Sequence, residues 1–114
     1  MPHSTSDQET RMVEWNQRLA SRISSYTERM SELRRKAKGQ LHYEIEYDGF
    51  IARRTILVRL HGSPMLASPE AMSQALQMMR SSVPEDDNVG HKEHFSKSYI
   101  QEIDDLLAEI ARGN

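Results

Sequence analysis

The side chains with the widest chemical reach in this sequence are its five histidines, and two of them lie close together. His91 and His94 are three residues apart, with Glu93 between them. Two imidazoles at that spacing can share a metal, but tetrahedral zinc needs three or four ligands held by ordered outer partners. The chain has no cysteine, so thiolate sites, thiol nucleophiles and disulfides are excluded. Ser98 lies one helical turn beyond His94, yet no serine occupies a Gly-x-Ser-x-Gly elbow. Glu85-Asp86-Asp87 and Asp104-Asp105 lack the apolar setting that lifts a carboxyl into the range of acid–base work. The five glycines are isolated and make no phosphate-cradling loop. These residues predict no enzyme, no metal site and no cofactor.

Cations form the second candidate group. Met1 to Arg59 carries 11 Lys/Arg against 8 Asp/Glu, and Leu60 to Asn114 carries 4 against 9, within a net charge of −2. Arg29, Arg34, Arg35, Lys36, Lys38, Arg53 and Arg59 can form one surface that follows phosphates. Cations at a helix end also complement its dipole with no ligand present, by ~0.3–1 kcal/mol each. A pI of 6.2 and few aromatic residues weigh against stacking on bases.

The pattern of residues along the chain sets which elements must position these groups. Residues 1 to 5 read as a disordered N-terminus and 6 to 112 as a single domain. Ser6 and Glu9 make a capping box, and an apolar stripe follows it: Met12, Trp15, Leu19, Ile23, Tyr26, Met30, Leu33 and Ala37. The spacing predicts a helix from Asp7 to Lys38, ended by Gly39. Such a helix is ~48 Å long, against a diameter of roughly 34 Å for a compact chain of this length. It should overhang its own domain and offer its stripe to a partner, in the manner of a coiled coil.

After Gly39 the period changes to two, with Leu41, Tyr43, Ile45 and Tyr47 alternating with polar residues. Asp48-Gly49 is a two-residue turn signal. It predicts a hairpin in which Tyr47 faces Phe50, Ile45 faces Ala52, and Glu44 opposes Arg53. Arg54 falls on the apolar face, and Val58 and Leu60 extend past the first strand as an unpaired edge. Gly62 to Leu66 read as a turn. Ser68-Pro69-Glu70 starts a third element, a helix with Met72, Ala75, Leu76 and Met79 on its core face and Met78 alongside. Pro84 to Gly90 read as an acidic loop. The last helix carries Phe95, Tyr99, Ile103, Leu106 and Ile110 on one stripe.

The predicted fold class is therefore α+β: a long N-terminal amphipathic helix, a two-stranded antiparallel hairpin and two C-terminal helices. Over about Arg29 to Arg80, this order is loosely similar to that of YbaB-type nucleoid-associated proteins. The resemblance implies a dimer that binds DNA without strong sequence preference. This chain offers two strands where that family has three, and adds a terminal helix.

No segment approaches the ~18 uninterrupted apolar residues of a membrane span, and the first eight residues lack signal-peptide order. The expectation is a cytoplasmic, non-enzymatic protein-binding module, an adaptor, chaperone or regulator. Its partner is another protein, above all a second copy as a homodimer, with no membrane involved. The expected interface is Trp15, Leu19, Ile23, Tyr26 and Met30 on the long helix, with Val58 and Leu60 at the strand edge. The alternative is nucleic-acid binding through the seven cations above.

Overall fold

Helix α1 runs from His3 to Lys36, and the stripe at spacings of three and four faces inward along it. The structure is a computed structural model and describes residues 3–36, 38–63, 68–85 and 89–113. Helix α1 thus begins within the segment read as disordered, and Met1 and Pro2 lie outside the described residues. Gly39, at φ +76°, turns the chain after α1 in the left-handed conformation that glycine adopts at least cost.

The next element corrects the sequence reading. Leu41–Leu60 is one continuous helix, α2, and no strand occurs among the described residues. The fold is all-α, not α+β, and the hairpin pairs do not exist. Alternation over Leu41 to Tyr47 suggested a strand, but Leu41 is exposed, and Tyr43, Ile45 and Tyr47 are half-buried. The buried residues are Asp48, Gly49, Ala52, Ile56, Leu57 and Leu60, a helical stripe. Aromatic and β-branched residues cost a helix only a few tenths of a kcal/mol each. Packing that stripe between two neighbours outweighs the local preference. Without strands, the similarity to YbaB-type proteins loses its structural basis.

Helix α3 spans Pro69–Arg80, and α4 spans Lys92–Ala111. The Ser68 hydroxyl accepts the Ala71 N–H at 3.0 Å, and Pro69 occupies the first turn, as the sequence signals required. The turn read over Gly62 to Leu66 lies partly outside the described residues, and so does the acidic run, of which Asp86 and Asp87 are not described.

Cross-helix contacts fix the topology. Arg29 meets Glu46, Tyr26 meets Phe50, and the Gly62 N–H donates to Asn16, so α1 and α2 are antiparallel. Gly49 lies against His94, and Arg53 reaches Glu102, so α2 and α4 are parallel. A parallel pair needs a crossover, and α3 makes that return, packed on α4 with Arg80 paired to Asp104 at 2.8 Å. The shared core is built on Trp15, Leu19, Ile56, Leu57, Leu60, Met72, Leu76, Tyr99, Ile103 and Leu106. The molecule measures 60 × 27 × 22 Å with a radius of gyration of 15.7 Å, so its long axis exceeds the compact expectation.

Candidate functional site

Three places concentrate polar or apolar groups beyond ordinary packing. The first is a polar seam where α1, α2 and α4 meet. Glu102 occupies a position in the α4 apolar stripe, between Tyr99 and Leu106, and is completely buried. Its Oε1 accepts from the Tyr26 hydroxyl at 2.7 Å and from Arg53 Nη1 at 2.9 Å. Arg22 Nε stands 3.4 Å from Oε2, which has no hydrogen-bond partner, and Arg22 Nη1 donates to Glu109. Arg53 also lies 3.6 Å from Asp105.

Burial alone would lower the Arg22 pKa. The Glu109 hydrogen bond and the charges of Glu102 and Glu109 outweigh it and raise the value, so the guanidinium stays charged. Burial, followed by the hydrogen bond to Glu102, raises the Tyr26 phenol above its ordinary range. Burial also raises Tyr99, with Arg59 opposing. A phenol raised in the folded state keeps its proton where the unfolded chain has lost it. The stability it contributes is complete below pH about 10 and is lost as pH rises through the folded value. Stability measured by urea denaturation should therefore fall above pH about 10, and Tyr26→Phe should make that fall shallower. An unchanged slope in the Tyr26→Phe protein would mean that another group controls the alkaline limb.

The second place is where Asp48 and Gly49 of α2 meet the start of α4. His91, the N-cap residue of α4, makes no side-chain cap. Asp48 fills that role from α2, its Oδ2 accepting the His91 N–H at 3.1 Å. A Cβ on Gly49 would come within 2.8 Å of His94 Nε2 and of Ser98 Oγ. The dipeptide read as a turn is instead a helix-capping acid beside a close helix crossing. His94 and Ser98 do come together here, with Gly49 against both. Among the described residues no three His, Cys, Asp or Glu side chains form a set able to hold a metal.

The third is a groove of about 570 Å³ beside α3, lined by Ala71, Gln74, Ala75, Met78 and Met79, with Ser82 and Arg59 of α2 at its border. Met78 is 73% exposed, whereas Met72 and Met79 are core. Other depressions among the described residues are lined mainly by charged and polar side chains. One holds Arg34, Glu44, Tyr47, Asp48 and His91, and another Glu14, Gln17, Arg18, Arg22 and Glu109.

The residues expected at a protein interface are mostly covered by the chain itself. Trp15, Leu19, Met30 and Leu60 are buried, Ile23 and Tyr26 pack half-buried on the core, and Val58 is 55% exposed on a helix, not on a strand edge. The seven cations do not form one surface. Arg29 pairs with Glu46 and Glu32, Lys36 with Glu32, and Arg53 with Glu102. Arg34, Arg35 and Lys38 stay exposed at the α1–α2 turn, while Arg59 lies in the last turn of α2, ~27 Å along that helix from Leu41. Arg54, placed on the apolar face of a strand, is half-buried and donates to the Thr27 hydroxyl at 3.3 Å.

Sequence reasoning missed Glu102, the crossing at Gly49 and the α3 groove. Glu102 alone had a readable signal, a carboxylate at helical spacing inside an apolar stripe. No family model matches this chain, and neither the curated proteins nor the solved structures contain a match to it. Among the described residues, no helix is long and apolar enough to cross a membrane.

Proposed function

We propose that this chain is a non-catalytic, cytosolic protein-binding module, and that it engages its partner through the groove beside α3. One observation supports the reading above the others: the groove is lined mainly by alanine and methionine, with Met78 exposed within it. Covering such a surface gains ~25 cal/mol per Å² of apolar area. The polar depressions would instead charge a partner for desolvating ionised groups. Methionine also adapts its shape to varied apolar contacts. Among the polar groups, the seam around Glu102 is spent on holding three helices in register, and it offers no reacting atom to a substrate.

The nucleic-acid alternative keeps Arg34, Arg35 and Lys38 as its footprint, where a helix C-terminus favours cations in any case. The apolar groove is the better supported site. A photo-crosslinking residue in place of Met78 should give a discrete protein adduct in a native extract. The same residue in place of exposed Ser25 on α1 should give none, and adding Ala75→Glu should abolish the Met78 adduct. Equal labelling from both positions, or none from Met78, would remove the groove as the binding surface.

A further inference from the structure

The groove-lining face of α3 has a polarity of size. Ala71 and Ala75 occupy its N-terminal half, and the long, exposed side chain of Met78 occupies its C-terminal half. With Gln74 these positions recur at spacings of three and four, so they form one stripe along a 12-residue helix, with Ser82 just beyond its end. Such a stripe is complementary to itself in one arrangement. When two copies lie antiparallel about a two-fold axis midway along the stripe, Met78 of each copy meets the small Ala75 of the other. A parallel arrangement would set Met78 on Met78 and leave the alanines facing a gap.

Charge points the same way. Arg59 borders the groove and Glu70 stands exposed in the first turn of α3, and no ion pair among the described residues engages either. Arg59 at the groove border and Glu70, beside the groove-lining Ala71, thus set one charge of each sign around it, which suits pairing with an identical copy better than with a uniformly acidic or basic partner.

We infer that the occupant of the α3 groove is α3 of a second copy of this chain, packed antiparallel in an isologous homodimer. This rests on the reading of the groove as a protein-binding surface and names the partner that fits it. Helix α3 is only ~18 Å long, which places the contact in the small, reversible class of interfaces. Association should therefore depend on concentration.

Sedimentation equilibrium of the intact chain, from micromolar to millimolar concentration, tests the inference. The expected result is a mass that rises from monomer towards dimer. Met78→Asp should weaken association by about tenfold or more, since a charge would then be buried against an apolar surface. Val13→Asp, at an exposed apolar residue on α1 away from the groove, should leave it unchanged. Both changed side chains face solvent in the single chain, so circular dichroism should show both variants folded. A wild-type chain that stays monomeric at millimolar concentration overturns the inference. So does a dimer that Met78→Asp does not weaken. A monomer whose Met78 position still cross-links to a different protein would remove self-pairing alone. Loss of both signals would remove the binding surface altogether.

Discussion

Replacing Glu102 with glutamine should cost about 3 kcal/mol of folding stability, the largest loss expected from any near-isosteric change in this chain. The glutamine keeps the shape of the side chain, so no cavity term enters. What disappears is the negative charge that Arg22 and Arg53 share, 3.4 and 2.9 Å away. The amide oxygen can still accept from the Tyr26 hydroxyl, but its NH₂ then faces a guanidinium, donor against donor. Breaking a buried pair by removing one partner usually costs ~3–5 kcal/mol. Here the arginine side chains are 27% and 24% exposed and can draw on water, which places the expectation at the lower end. Urea denaturation followed by fluorescence and circular dichroism measures it, and a loss below about 1 kcal/mol would show that the seam contributes little.

A companion variant separates stability from specificity. Exchanging Glu102, Arg22 and Arg53 together for leucine and two methionines removes the three charges at the centre of the seam, and the half-buried Tyr26 hydroxyl, which loses its acceptor, can turn to water. Such replacements are often neutral or stabilising, by ~1–4 kcal/mol. If the triple variant is as stable as wild type but loses a single well-dispersed NMR spectrum, the seam specifies helix register. It would then do so at no net gain in stability.

Much of this architecture was readable from the chain. Where an apolar stripe recurs at three and four residues, as from Met12 to Leu33 or from Phe95 to Ile110, the helix is there. The end of α1 near Gly39 and the start of α3 at Ser68-Pro69 follow from backbone chemistry local to those residues. Helix α2 was not readable in the same way, because two local signals agreed on the wrong answer. Alternation before Asp48 and a turn-forming Asp-Gly pair both favour a hairpin, and both are short-range preferences of tenths of a kcal/mol to ~1. The deciding contacts are long-range: Ala52, Ile56 and Leu60 pack into a core shared with α1 and α4. The cation cluster failed for a related reason. Arg53 finds Glu102 49 residues away, and Arg29 finds Glu46 on the facing helix. A sequence shows where charges stand along the chain, but their partners are assigned by the fold.

Gly49→Leu should destabilise the protein by about 3 kcal/mol, at the upper end of ordinary overpacking. Gly49→Ala should cost far less, and the difference isolates the role of the crossing. In an ordinary helix interior, glycine is worth ~1 kcal/mol less than alanine. The first methyl group therefore brings a propensity gain that offsets part of its clash. That clash, at 2.8 Å from His94 Nε2 and Ser98 Oγ, is unequal in kind. The imidazole tip is at the far end of a half-buried side chain and can swing aside, whereas Ser98 is short and buried and has little room to move. Ser98→Ala should accordingly recover part of the Gly49→Ala cost. Leucine has no such escape, because its branch must enter the space where the α2 and α4 backbones approach each other. Separating them also draws Asp48 away from the His91 N–H, so α4 loses that cap. Thermal or urea denaturation of the three variants provides the check. Equal costs for alanine and leucine would mean that α2 and α4 can part freely, and that Gly49 is tolerated here but not required.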